Sequence, residues 1–431
     1  MNKQILRLAI PNIISNITVP LLGMVDLAIL GHLESEKYIG AIALGGLIFN
    51  FIYAIFSFLR MGTSGFTAQA FGEKNKQEMI LMFGRSMFFA LFGGILIILL
   101  QVPIDLFSFY LIDGSAQVEV LASQYFYIRI YAAPASLGIL ALSGWFIGMQ
   151  NAKIPMYIAI FINVINVAAN LMFVYGFGMK SDGVAYGTVI AQYSGLFVGL
   201  SLFMIRYGDY FHYWQNSEFF NWKKLKRFFR VNGDIIIRTL CLIFSFAFFT
   251  AESAKTNDTI LAVNTVLLQY LFVFSYITDG FAHAAEALVG RYVGANDKGR
   301  LKAVIRKLFV WGFALSLIFS FTYLVGGDQM LYILTDNLVV IHAAQPYLFW
   351  LGLVPVLTFA AFIWDGVYIG ATASGAMRNA LLVSTFLIFL PAYYLLIRPM
   401  GNQGLWLAMM LFMVSRGVLL TLFSGKHIYG R

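Results

Sequence analysis

Runs of about twenty apolar residues, each long enough to cross ~30 Å of hydrocarbon, recur twelve times along this chain. They lie near 9–31, 39–63, 79–101, 121–148, 156–176, 184–205, 235–254, 260–288, 304–326, 345–370, 379–397 and 403–424. One water-bounded core cannot absorb that much apolar surface, but a bilayer can. With no water to satisfy backbone groups, such runs must be helices. The chain is 60% hydrophobic and 11% charged, where soluble domains carry about 25% charged residues. The sequence predicts an all-α membrane protein of twelve transmembrane helices.

The net charge of +9 could suggest nucleic acid. The basic residues, however, sit in short segments between spans, which is a topology signal. Twenty-two Lys and Arg fall to one side, including the N-terminus, residues 74–85, 206–230 and 291–307, and the region from Arg416. Only Lys37, Lys180, Lys255 and Arg398 fall to the other. Both termini are therefore expected in the cytoplasm, with the lipid bilayer and not nucleic acid as partner. Lys3 and Arg7 precede an apolar stretch as in a signal peptide. That stretch carries Asn12, Asn16 and Asp26 and no small-residue cleavage site, so it is expected to remain as the first span. Cys241 is single, which excludes an intramolecular disulfide framework. "NWKKLKRFF", from Asn221, reads as an interfacial amphipathic piece.

The chain also repeats itself. "SGFTAQAFGEKNKQE" follows the second run and "AEALVGRYVGANDKGR" the eighth. Aligning Gly72 with Gly294 sets an offset of 222, which also carries "GMQNAKIPMY" onto "GATASGAMRN". Two six-helix lobes follow, 1–205 and 234–431, joined by 206–233. Six is even, so the lobes share orientation and relate by an axis along the membrane normal, as in transporters that rock around a cavity.

Polar residues inside the spans are the candidate functional groups. Asp26 interrupts "LLGMVDLAIL", and a charge in hydrocarbon costs about 2.5–3.5 kcal/mol on insertion scales. Pro11 and Pro20 lie upstream and favour a bend there. Asn163, Asn166 and Asn170 fall at i, i+3 and i+7, one face of the fifth helix. Asp279, His283 and Glu286 share a face of the eighth, and Asp365 lies in the tenth. Polar groups can simply join helices. The asparagines and His283 are open to that reading, and Asp234 with Arg238 reads best as such a local pair. Isolated carboxylates such as Asp26, Asp279 and Asp365 make poor glue and suit proton or cation sites. There is no Walker A motif, no HExxH and no paired-Cys zinc pattern. ATP hydrolysis and metalloprotease chemistry are excluded on that basis, and no cofactor is expected.

The stretches "LRLAIPNIISNITVPLLGMVDLAILGHL", "FLRMGTSGFTAQAFGEKN", "APASLGILALSGWFIGMQ" and "DGFAHAAEALVGRYVGA" together resemble the multidrug and toxic compound extrusion (MATE) transporters, in particular the DNA-damage-inducible F branch. The resemblance runs nearly end to end. It implies a twelve-helix monomer in the cytoplasmic (inner) membrane that exports small organic cations or amphipathic drugs against protons or sodium. It implies that Asp26 is the coupling residue and that Pro11 serves bending of the first helix. The family's fifth helix carries Asn and, four residues on, Asp. Here Asn166 matches, but the second position is Asn170. One carboxylate with neutral oxygens holds a hard cation less well, so protons are favoured over sodium. The C-lobe acids Asp279, Glu286 and Asp365 fall where relatives carry acids. Two other readings stand beside this one. A lipid-linked sugar flippase would want a basic cavity, and an intramembrane enzyme would use Asp279, His283 and Glu286 as acid–base groups.

Overall fold

The computed structural model describes residues 1–31, 37–111 and 115–430, apart from the side chains at 19, 22, 26–28, 30 and 31. No strand occurs among the described residues. Twelve helical segments are long and apolar enough to cross a membrane. In order they are Asn2–Val25, Lys37–Gly72, Lys76–Leu99, Ala116–Gly148, Lys153–Gly176, Ser181–Tyr213, Asn216–Thr256, Asp258–Gly294, Lys298–Leu334, Leu338–Gly370, Ser374–Met400 and Asn402–Tyr429. Each predicted run overlaps one of them, the runs 9–31 and 79–101 extending a few residues past the first and third. The helices outrun the apolar stretches because polar residues such as those at Lys298–Arg300 extend a helix without lying in hydrocarbon. The first helix, Asn2–Gly31, stays helical through Pro11 and Pro20. Asn12 Nδ2 donates to the Leu8 carbonyl at 2.9 Å, one position from the donor that Pro11 lacks.

The chain divides into two compact units. One comprises Ile14–Leu225; the other comprises Met1–Ile13 with Lys226–Arg431. In the first, the second span packs on the fourth and the fifth on the sixth; in the other, the tenth packs on the eighth and ninth.

The 222-residue duplication is visible in atomic detail. Among the described residues, four non-glycine residues adopt left-handed backbone conformations: Lys74, Gln150, Asn296 and Thr372. They form two pairs at that offset. Asn75 N–H reaches the Ala70 carbonyl as Asp297 N–H reaches Tyr292, and Asn151 N–H reaches Phe146 as Ala373 N–H reaches Tyr368. These are the same helix-ending turns, in which the last carbonyls find donors beyond the helix. The side chains of Asn75 and Asp297 then cap the following helices by accepting from Glu78 N–H at 3.0 Å and Arg300 N–H at 2.9 Å. Close helix approach repeats too. A Cβ on Gly144 would lie 2.3 Å from the Arg60 carbonyl, and one on Gly366 2.1 Å from that of Ala282. Glycine at both places lets backbones touch, as membrane helix contacts require.

The segment between the repeats is less separate than its sequence suggests. After short helical turns at Gly208–Tyr213 and Asn216–Phe219, the basic stretch "WKKLKRFFR" opens a single helix, Trp222–Thr256, which continues into the seventh span. Arg85, 1% exposed along its side chain, anchors this entry. It pairs with Glu78 at 2.8 Å and donates to the carbonyls of Glu218 at 2.5 Å and Phe219 at 3.0 Å. Lys224 closes the cluster, 2.8 Å from Glu78 and 2.9 Å from Glu218.

Candidate functional site

In the unit Ile14–Leu225 the fifth span organises the polar interior. Its three asparagines do not act as one stripe. Asn163 Nδ2 donates to the backbone carbonyl of Thr18 at 3.0 Å, two residues before Pro20. Further along the same span, Tyr175 Oη donates to the Ile29 carbonyl at 3.2 Å. These two bonds bracket the part of the first helix that carries Asp26, whose side chain lies outside the described residues. Pro11 is buried and Pro20 half-buried.

Asn166 and Asn170 turn instead toward the sixth span, and both are fully buried. Asn170 Nδ2 donates to Asn166 Oδ1 at 2.9 Å, Asn166 Nδ2 to Thr188 Oγ1 at 3.2 Å, and Thr188 Oγ1 to the Val184 carbonyl at 2.9 Å. Every bond points the same way, so the chain needs a donor at position 170. An amide supplies one and a carboxylate does not. Gly187 completes the fit, because a Cβ there would lie 2.0 Å from Asn170 Oδ1. Thr188 and Gly187 complete this network and were not legible as partners in the sequence, where they are only small residues within the sixth run.

The other unit holds a buried ionic cluster in its spans. Asp365, expected as an isolated carboxylate, is not isolated. Its Oδ2 accepts from Arg416 Nη2 at 2.8 Å and from Arg238 Nη2. All three residues are buried. Arg416, assigned by sequence to the cytoplasmic side, therefore sits inside the twelfth span, because only a carboxylate there offsets the cost of burying it. The expected local pair of Asp234 with Arg238 is also corrected. Asp234 accepts from Arg378 Nη1 at 2.7 Å and Ser374 Oγ at 2.8 Å, while Arg238 turns to Asp365. Partners on neighbouring helices displace the one four residues away.

Asp279 lies within electrostatic range of Arg416 and accepts from Ser275 Oγ at 3.3 Å. Arg416 thus faces two carboxylates, Asp365 in contact and Asp279 within electrostatic range. Glu286 is buried and His283 half-buried on the same helix, and the Glu286 carbonyl is where Gly370 makes its close approach. Among the described residues no group of three His, Cys, Asp or Glu side chains could hold a metal ion. A second network was not anticipated. Asn264 Nδ2 donates to Ser253 Oγ and Asn402 Oδ1, both at 2.7 Å, and Asn264 Oδ1 accepts from Trp406 Nε1 at 2.8 Å. It ties the seventh, eighth and twelfth spans together.

Comparison with known proteins adds the context. The MatE family profile matches residues 11–172 and 235–395, once in each repeat. The chain is 36% identical to DNA damage-inducible protein F of Escherichia coli over 99% of its own length and 92% of that protein's. It is 24% identical to a probable multidrug resistance protein NorM of Thermotoga maritima, over 99% and 93% of the two chains. Among solved structures, a MATE protein crystallised in a bent conformation superposes with a TM-score of 0.89 at 18% identity, covering 100% of this chain and 96% of that one.

Proposed function

The chain belongs to the MatE family of transporters, and from that premise we propose that it is a secondary antiporter that exports small cationic or amphipathic organic compounds from the cell against an inward proton flow. Transport, not enzymatic turnover, is the family's activity, which sets aside acid–base catalysis by Asp279, His283 and Glu286. We place the protein in the cytoplasmic membrane with both termini inside, on the strength of its Lys and Arg bias, and read it as a monomer.

One observation carries the coupling mechanism. The fifth span holds the first by backbone carbonyls at Thr18 and Ile29, on either side of Asp26. Backbone-directed bonds hold a helix without fixing its side chains, so the segment can respond to a change of charge at Asp26. Protonation from outside removes that charge, the first helix shifts about its prolines, and the organic cation leaves. Loss of the proton to the cytoplasm restores an anion that attracts the next cation. Asn166 and Asn170 supply neutral oxygens and amides, a set better suited to protons than to a sodium ion.

The test is uptake of a fluorescent organic cation into everted vesicles, with proton and sodium gradients imposed separately. A proton gradient alone should drive accumulation, and Asp26→Asn should abolish it. Equal drive by sodium alone, or normal exchange by Asp26→Asn, would refute the scheme. The buried Arg238 and Arg416 favour one second reading, an anionic lipid-linked substrate. Competition by a lipid pyrophosphate analogue in the same vesicles would support that reading instead.

A further inference from the structure

Within the unit that ends the chain lies a cavity of about 690 Å³, which shares Asp234, Ser374 and Arg378 with the ion pair described above but not Asp365, Arg238 or Arg416. It opens where the seventh span begins, where the turn at Thr372 leads into helix Ser374–Leu382, and where the twelfth span ends. Its wall carries Arg227, Arg230, Arg378 and His427 against a single carboxylate, Asp234. Asp234 is already engaged by Arg378 and Ser374. Arg227 Nη2 donates to Thr372 Oγ1 at 3.0 Å, which holds one guanidinium at the rim. The lining is therefore net positive, and Ser374, Gly375 and Ala376, at the start of helix Ser374–Leu382, also line it, where the helix dipole favours an anion.

The charges are not part of the duplicated pattern. The turn at Thr372 has the same backbone as the turn at Gln150. At the offset of 222, Arg230 corresponds to Leu8, Asp234 to Asn12, Arg378 to Met156 and His427 to Ile205. These four positions thus carry no charge at the repeat offset, so the basic lining is particular to the second repeat. Guanidiniums gathered around a space of this size recognise phosphate in bidentate fashion. Trp222 and Phe229 stand exposed on the same helix start, as aromatic residues do at the level of lipid headgroups.

We propose that this cavity binds a phosphate-bearing anion, through Arg227, Arg230 and Arg378, at the end of the membrane where most of the basic residues gather. The source is an acidic phospholipid headgroup or free phosphate. The test uses the full-length protein in nanodiscs of phosphatidylcholine, with or without phosphatidylglycerol, and in detergent with inorganic phosphate or chloride at matched ionic strength. Thermal unfolding and native mass spectrometry of retained lipid are the readouts. Stabilisation by phosphatidylglycerol alone assigns the headgroup; stabilisation by inorganic phosphate as well assigns free phosphate. The double variant Arg227→Gln/Arg230→Gln should weaken the bound anion about fivefold per arginine. Arg230→Lys should retain most of the effect, and Lys153→Gln, at the matching end of the first repeat, should change nothing. The absence of any anion-dependent shift, or a shift undiminished in the double variant or equally lost in Lys153→Gln, overturns the site. Transport need not be measured, so this result is independent of the efflux reading.

Discussion

Two polar networks, one in each unit, solve one problem in opposite ways. Each must hold polar side chains in a membrane interior. The unit Ile14–Leu225 does so with a neutral, one-directional chain from Asn170 through Asn166 and Thr188 to the Val184 carbonyl. The other unit does so with a carboxylate gripped by two arginines. At the repeat offset Arg238, Asp365 and Arg416 correspond to Asn16, Ser143 and Ser194, so neither solution is inherited from the duplicated scaffold. A neutral chain can lose or gain a bond cheaply, whereas removing a buried charge leaves its partner uncompensated. The contrast assigns adaptability to the first unit and rigidity to the second.

The largest expected effect tests that rigidity. Asp365→Asn leaves two buried guanidiniums without a carboxylate in contact and should cost about 3–5 kcal/mol, read from denaturant unfolding in detergent. Asp26→Asn should leave unfolding nearly unchanged while abolishing exchange, so the two aspartates separate by readout. A smaller effect is expected when Arg238→Met, Asp365→Leu and Arg416→Met are combined, because replacing a whole buried ionic group by apolar residues is often neutral. Recovery of both stability and exchange would make the triad purely structural; recovery of stability without exchange would give it a part in transport.

Next comes Asn170→Asp. An ionised carboxylate cannot donate to Asn166, so the variant should lose about 1–3 kcal/mol at pH 8. The loss should shrink at pH 5, where the acid form donates as the amide does. A pH-independent loss would show that the direction of the chain does not matter. Thr188→Val should cost less than Asn170→Asp, about 1 kcal/mol, because Asn166 loses one acceptor and the Val184 carbonyl one side-chain donor.

What could be read from residues alone divides along physical lines. Span number and the duplication were legible because they are periodic or repeated signals, summed over many positions. The acidic and amide positions were legible as exceptions in apolar runs. Their partners were not. Asp234 and Arg238 sit one turn apart, and helical spacing invites pairing, yet Asp365 draws in arginines 127 and 51 residues distant. Those contacts depend on which helix faces which. Arg416 was misplaced for the same reason, since a basic residue near the end of an apolar run reads as a loop anchor until a buried carboxylate is found beside it. Asn264 and Asn402 gave no signal beyond one amide each, and their meeting with Trp406 is purely tertiary.

The continuity of helix Trp222–Thr256 has a mechanical consequence. Its 35 residues make a rod about 52 Å long, whereas the hydrocarbon it crosses is ~30 Å thick. The surplus is a stiff lever carrying the aromatic and cationic residues of its first turns. A few degrees of tilt in the buried part must sweep that end through several ångströms at the headgroup layer, so lipid at the surface and the pose of the seventh span bear on each other directly.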